Sequence, residues 1–454
     1  MCAIFGISGL DEAANLTYLG LHALQHRGQE GTGIVSTDGK QPNIHKERGL
    51  VGDIFTNSVI SKLEGHTAIG HNRYSTAGGN TSENLQPLLM KSSIGWVSIA
   101  HNGNLVNAPQ LIQLLEESGS IFQSTSDTEV ILHLIARSQK RDIREAIVDA
   151  LKKVEGAYSL LVLNQDFLIA VRDPKGFRPL VMGRKNGRPV FASETTAFDL
   201  IGATYEREIL PGEMCVVSLK NDFEMSSSHP FDNEPSKRCV FEQVYFARPD
   251  SFVFNSTVYQ TRKNLGKQLA IEQPALNADL VIPVPDSGVY AAIGYAEQSK
   301  LPFEMGIIRS HYIGRTFIEP RQSIRDFGVK LKLNPVAEVI RGKSIVVIDD
   351  SLVRGTTSKK LISHLRAAGA REVHLRISAP PTAHPCFYGV DTPTKAELLA
   401  SSNSVDSIRK FVGADSLGYL SLDGLLKMAS EKAGPGFCHA CFSGDYPSQI
   451  DLPQ

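Results

Sequence analysis

Residues 344–358 read Ser344-Ile345-Val346-Val347-Ile348-Asp349-Asp350-Ser351-Leu352-Val353-Arg354-Gly355-Thr356-Thr357-Ser358. The apolar run 345–348 has the length and β-branched content of a buried parallel strand, and it ends in two carboxylates. Leu361, Ile362, Leu365 and Ala368 then recur at helical spacing, Gly369 supplies a stop, and 373–377 reads as the next strand. The stretch is one βαβ unit, and its strand-to-helix turn lies where open α/β sheets hold ligands. Helix-start amides beside Thr356, Thr357 and Ser358 can receive a phosphate, while Asp349 and Asp350 suit ribose hydroxyls or Mg2+.

Alone, an acidic pair after a strand is an ordinary solvated strand end. A second strand end, Val281-Ile282-Pro283-Val284-Pro285-Asp286-Ser287-Gly288, offers another ligand loop. Together the two loops resemble type I phosphoribosyltransferases, whose ligand is phosphoribosyl pyrophosphate (PRPP). The resemblance implies that Asp349 and Asp350 meet the ribose or its Mg2+, with Ser287 on the metal and pyrophosphate side. It also implies that Ser351, Arg354, Gly355, Thr356 and Thr357 wrap the 5′-phosphate. Between the loops lies a polar, basic segment, 312–334, with Arg315, Arg321, Arg325, Lys330 and Lys332. Such a segment by itself is a solvated loop; by resemblance it closes over PRPP, with Lys330 and Lys332 facing pyrophosphate.

The chain has 454 residues, 42% of them apolar and 21% charged, with a formal net charge of −1. That composition describes a globular protein of two or three domains and provides no bulk electrostatic attraction for nucleic acid or an anionic membrane. The start lacks a basic stretch before its short apolar run, and no apolar segment approaches the roughly 20 residues that span a bilayer, so a cytoplasmic location is expected. Strand-like runs at 96–100, 159–163, 167–171 and 214–219 alternate with helical patches at 111–117 and 129–138, which suggests an α+β sandwich of antiparallel sheets. The polar stretch 222–235 reads as a connection, after which strands alternate with helices. Three parts are expected: 2–235, 236–400, and a less patterned segment, 401–454, wrapping on the main body.

Cys2 follows Met1 directly, and a small side chain there permits removal of the methionine. The product carries a thiol and a free α-amine of ordinary pKa about 7.7–8.0, a nucleophile with its own base. MCAIFGISG resembles the opening of N-terminal nucleophile glutamine amidotransferases. The blocks 24–30, 70–78, 100–105 and 125–129 follow in that family's order, implying an αββα hydrolase sandwich. Arg73 can take the α-carboxylate of glutamine in a bidentate fork and Asp127 its α-ammonium. By resemblance Asn102 and Gly103 donate to the oxyanion, and one such donor is typically worth about 3 kcal/mol of barrier. His26, His71 and His101 read as structural histidines, and Gly28, Gly31 and Gly33 as turn or close-approach positions.

Ammonia is mostly protonated at neutral pH, so releasing it beside its acceptor preserves the nucleophile. The two halves in this order resemble the amidophosphoribosyltransferase family, pentosyltransferases at the committed step of purine synthesis. The resemblance implies glutamine and PRPP as substrates, purine nucleotides as feedback inhibitors, and a homo-oligomer, a tetramer in the family. Two readings compete: another amidotransferase acting on a sugar phosphate, and a PRPP-binding regulator that has lost its chemistry. Retention of Cys2, Arg73, Asn102, Gly103 and Asp127 argues against the regulator.

Of six cysteines, Cys438 and Cys441 form a C-x-x-C pair, which alone is ambiguous among redox dithiol, zinc and iron–sulfur. With Cys239 and Cys386 they could form a tetrathiolate site pinning separate segments together, and spacing does not choose the metal. The sequence around each resembles the ligands of a [4Fe–4S] cluster in one branch of the family, with structural Zn2+ the alternative. Members of that branch commonly carry a propeptide before the nucleophile, whereas here only Met1 precedes it, so aminopeptidase alone should mature the chain. Cys215 reads as a buried apolar residue.

Overall fold

The computed structural model describes residues 1–74, 79, 81–310, 333–392 and 394–450. The amino-terminal half begins with β1 (Ala3–Ser8), β2 (Gly31–Thr37), β3 (Pro42–Glu47) and β4 (Thr67–Arg73). It continues through β5 (Leu88–Ser92), β6 (Gly95–Leu105), β7 (Gly156–Leu163) and β8 (Phe167–Arg172). The remaining strands are β9 (Val181–Lys185), β10 (Arg188–Ala192), β11 (Thr204–Glu208), β12 (Met214–Ser218) and β13 (Met225–Ser228). They form a seven-stranded sheet of order β11-β9-β10-β1-β4-β2-β3 and a six-stranded sheet of order β13-β12-β8-β7-β6-β5.

Period-two alternation explains how one strand serves two layers. Phe5 and Ile7 of β1 face the helix Ala13–Ala23, packing with Ala14 and Leu21. Ile4 faces the opposite way, into the core between the sheets with Ala100, Leu161 and Phe191. The helices Ala108–Glu117, Asp127–Arg137 and Ile143–Leu151 cover the outer face of the second sheet. The result is the expected αββα sandwich.

The second half is built on four parallel strands, β14 (Leu280–Pro283), β15 (Ser344–Asp349), β16 (Glu372–Ile377) and β17 (Ser416–Tyr419), adjacent in that order. Ile345 and Val347 pack with the helices Thr356–Ala367 and Val405–Val412 on one face, through Leu361, Ile362, Ile408 and Val412. Val346 and Ile348 pack on the other with the helices Val258–Glu272, Val289–Ser299 and Leu422–Ala433. Both faces are covered, hence the continuous apolar run in the sequence.

Two sequence expectations are corrected. The supposed connection 222–235 contains β13, an edge strand paired with β12. Its serines are exposed, so it lacks the apolar face by which strands are recognised. The boundary at 400 cuts through the second domain, because β17 and the helices on either side of it complete the parallel sheet and its two covering layers. β17 has four residues and only Leu417 and Tyr419 as large apolar ones, too short a pattern to register.

Helices Val258–Glu272 and Val289–Ser299 cross so closely that a Cβ on Gly266 would stand 1.8 Å from the Ala291 carbonyl oxygen, and one on Gly294 1.8 Å from that of Lys263. Gly294→Ala should therefore push the helices apart and destabilise the second domain by about 3 kcal/mol, read as a lowered urea midpoint. An unchanged midpoint would refute this packing.

Candidate active sites

Cys2 precedes β1 and is buried, 5% exposed, with its thiol 3.5 Å from the Tyr74 carbonyl. Pairing of Ala3 with Asn72 across β1 and β4 sets Cys2 beside Arg73. The Arg73 guanidinium donates to the Asn84 carbonyl at 3.1 Å and the Gly79 carbonyl at 2.7 Å, which orients it. His71 of β4 reaches across the sandwich to the His101 carbonyl of β6 at 3.2 Å, tying the strand of Arg73 to the strand of Asn102 and Gly103. Burial and the neighbouring Arg73 charge push the His71 pKa down to about 3, so its ring is neutral. His101 sits between Thr128 at 3.0 Å and the Ala157 carbonyl at 3.2 Å, and His26 bonds Glu194 at 2.9 Å. All three histidines hold the scaffold.

Asn102 is 1% exposed, yet among the described residues neither its amide nitrogen nor its amide oxygen has a hydrogen-bond partner. Buried amides are ordinarily satisfied, and an orphaned one calls for a ligand. Gly103 admits no side chain: an added Cβ would stand 1.9 Å from the Ala157 carbonyl oxygen. Asp127 opens a helix, and its carboxylate accepts from the Leu105 N–H at 2.8 Å, placing it against the end of β6. Gly28 passes so close to β4 that a Cβ would be 2.6 Å from the Arg73 carbonyl oxygen. Burial pushes the chain's α-amine, here on Met1, down to about 5, with the Arg178 and Arg27 charges acting the same way.

The second site lies at the carboxyl ends of β14 and β15. The Val284 N–H donates to the Ile348 carbonyl at 2.8 Å, and a Cβ on Gly288 would stand 2.3 Å from the same oxygen, so the two loops run side by side. Burial and the adjacent Asp350 charge raise the Asp349 pKa well above the usual carboxylate range. The Asp349 carboxylate accepts from the Asp350 N–H at 2.9 Å, and the Ser351 hydroxyl donates to Asp350. Gly355, at φ +70°, precedes the helix Thr356–Ala367, whose first two threonines are exposed. Ser287 lies in the neighbouring loop, half-buried. The exposed Arg354 guanidinium pairs with Glu397 at 3.0 Å. Arg309, which the sequence did not single out, pairs with Asp286 beside the Ser287 loop. Lys330 and Lys332, with Arg315, Arg321 and Arg325, lie outside the described residues.

The four expected cluster cysteines come from three segments that the fold draws together. Cys239 and Cys438 are register partners in a two-stranded parallel ladder, and the Cys441 carbonyl accepts from the Ala383 and His384 N–H groups, each at 3.1 Å. All four thiols are free, and burial raises the pKa of Cys239, pushes Cys438 up to about 12 and lifts Cys441 well above its usual value. Among the described residues, however, no three His, Cys, Asp or Glu side chains are arranged to hold a metal ion. The Cys386 loop also touches the glutaminase half. The Asn104 amide donates to the Phe387 carbonyl at 3.0 Å, and Gly389, at φ +95°, lies on Gly103 so closely that a Cβ would be 2.9 Å from its carbonyl. Cys215 is fully buried, and burial and Glu213 push its thiol up to about 12, leaving it inert.

Asn102→Ala should lower glutamine turnover by roughly 10²- to 10³-fold in kcat, in line with loss of one oxyanion donor. Gly389→Ala should displace β6 at Gly103 and lower the same rate while leaving the parallel-sheet site intact; steady-state kinetics with glutamine and with ammonia as nitrogen donor separate the two.

Residues 71–199 match the glutamine amidotransferase domain family and residues 267–388 the phosphoribosyl transferase domain family. Amidophosphoribosyltransferase of Bacillus subtilis (strain 168) is 51% identical over 99% of this chain and 94% of its own length. The Methanocaldococcus jannaschii enzyme of that name is 47% identical over 100% and 98%. Amidophosphoribosyltransferase 1, chloroplastic, of Arabidopsis thaliana is 54% identical over 98% and 78%. A solved glutamine PRPP amidotransferase from B. subtilis, complexed with ADP and GMP, superposes with a TM-score of 0.93 at 50% identity, covering 99% of this chain and 98% of that one. Among the described residues no helix is long and apolar enough to cross a membrane. With two domain families matched in order and relatives matched along nearly the whole length, the chain belongs to the amidophosphoribosyltransferase family.

Proposed function

We propose that this chain hydrolyses glutamine at Cys2 and passes the ammonia to C1 of PRPP, giving 5-phosphoribosylamine, glutamate and pyrophosphate, the first step of purine synthesis. The observation that carries the reading is Asn102, a fully buried amide without a partner among the described residues, on the strand tied to Arg73 beside the terminal thiol.

Once Met1 is removed, the Cys2 α-amine takes the thiol proton and the thiolate attacks the glutamine amide carbon. Arg73 and Asp127 hold the α-carboxylate and α-ammonium, so the side chain's length sets the reacting carbon at the sulfur. The carbonyl oxygen gains charge and is received by the Asn102 amide and the Gly103 N–H. The ammonium returns its proton to the leaving nitrogen, ammonia departs, and water cleaves the thioester to release glutamate.

At the parallel sheet, the 5′-phosphate is received by the loop 351–357 and the ribose hydroxyls by Asp349 and Asp350. Ammonia forms the bond to C1 as the bond to pyrophosphate breaks. Mg2+ would be held by Asp349 and Asp350 with Ser287 on the pyrophosphate side, and when bound would neutralise charge on the leaving group. The B. subtilis relative was solved with ADP and GMP, which supports purine nucleotides as inhibitors here. For Cys239, Cys386, Cys438 and Cys441 a [4Fe–4S] cluster is proposed on the donor chemistry: free thiols, buried at Cys239 and partly buried at the other three, from three adjoining segments, with Arg178 near enough for Cys239 and Cys386 to raise its pKa.

Cys2→Ala should abolish glutamine-dependent synthesis and preserve synthesis from ammonia; equal loss of both would contradict two separate sites. Asp349→Asn with Asp350→Asn should remove PRPP turnover while Cys2 is still alkylated by a glutamine analogue. Protein purified anaerobically should be brown with about four irons per chain, and colourless protein with stoichiometric zinc would replace the cluster by zinc.

A further inference from the structure

A charge cluster that the chemistry above does not use lies between the domains. Arg27, Arg178, Glu194 and Glu242 have fully buried side chains. The first three belong to the glutaminase half; Glu242 follows Cys239 and opens a five-residue π-helical turn, Glu242–Phe246, of the second half. The Arg27 Nε donates to the Cys2 carbonyl at 3.0 Å, and its two terminal nitrogens donate to the two Glu242 oxygens at 2.9 and 2.8 Å. Such a fork fixes the plane of the guanidinium, and with it the direction of Nε. Glu194 cannot replace it. One Glu194 oxygen is shared between His26 and Arg27, and the other accepts from the Arg248 N–H and the Ser251 hydroxyl.

Glu242 is itself held from the PRPP side. Arg262, on the helix Val258–Glu272, donates to the Gln243 carbonyl at 2.9 Å and the Ala247 carbonyl at 2.8 Å, spanning the π-helical turn. The Gln243 amide donates to the Val253 carbonyl at 2.8 Å. Arg262 also lies within electrostatic reach of Asp350. Arg178 shares a Glu242 oxygen at 3.3 Å and donates through Nε to the Tyr388 carbonyl at 2.9 Å, two residues beyond Cys386. Local π-helical geometry is uncommon and frequent at functional sites.

We propose that Glu242, although it belongs to the phosphoribosyltransferase half, is a positioning residue for the glutaminase: it fixes Arg27, which fixes the backbone of the nucleophilic Cys2. The inference rests on the proposed function for its reaction but concerns only the placement of the thiol. Glu242→Gln is the direct test, since its amide presents a donor to the donor fork of Arg27; Glu242→Asp keeps the charge and shortens the reach. In both, kcat for glutamine-dependent synthesis and the rate of Cys2 alkylation by a glutamine analogue should fall roughly 10- to 100-fold, as for a misplaced reacting atom. KM for glutamine and synthesis from ammonia should stay within about twofold of wild type, because Arg73, Asp127 and the parallel-sheet loops are untouched.

Parallel loss of glutamine- and ammonia-dependent synthesis in both variants, or unchanged rates in both, would overturn the proposal by making Glu242 a residue of the fold alone. Absence of PRPP-dependent glutamate and pyrophosphate release from the wild type would defeat the proposed reaction instead, and alkylation of Cys2 would still decide the role of Glu242.

Discussion

The two halves depend on one buried constraint, the neutral quartet of Arg27, Arg178, Glu194 and Glu242 at their seam. Burial alone would raise the Glu194 carboxyl, but His26 and Arg27 hold it well below the usual carboxylate range, so it stays charged. Removing four charges from water is costly, and a well-packed apolar cluster could give equal stability. What the ionic cluster supplies is direction. A guanidinium fork accepts its carboxylate in one plane, so the halves meet in one register and the Cys2 carbonyl is fixed with them.

Steric limits reinforce that register. Gly389 lies on the backbone of Gly103 and the Asn104 amide reaches the Phe387 carbonyl, so the loop after Cys386 braces the oxyanion strand from outside its own domain. Phe177 stacks on Tyr388, ring centroids 4.3 Å apart, next to the Arg178 contact with the Tyr388 carbonyl. The cysteine-bearing segments therefore do two things at once: they gather thiols and they form the wall against which the glutaminase strand is set.

This arrangement suits a reaction whose first product is labile as a nucleophile. Ammonia released into bulk water is largely protonated, so release and capture within one folded chain preserve the nucleophile. The division of chemistry follows the architecture. The sandwich contributes a buried thiol and an amide unsatisfied among the described residues, the parallel sheet two loops and a pair of carboxylates of which Asp349 is raised by burial and by its neighbour's charge.

Local chemistry was legible in the sequence because it is written in contiguous residues. The run 345–350, its turn and its helix announce a βαβ unit, Cys2 stands at the start, and the blocks around Arg73, Asn102 and Asp127 declare their chemistry. Strand β13 and the last strand of the parallel sheet, β17, were hidden, the first because an exposed edge needs no apolar face, the second because four residues cannot display a period. The pairing of Arg354 with Glu397 was likewise illegible, since the two residues meet only when the fold closes. Arg27, Arg178 and Glu242 are separated by up to 215 residues and look like surface charges in the chain. Only tertiary folding decides that they are buried together, because the free energy that keeps a charge out of water comes from its partners and no local pattern records who they are.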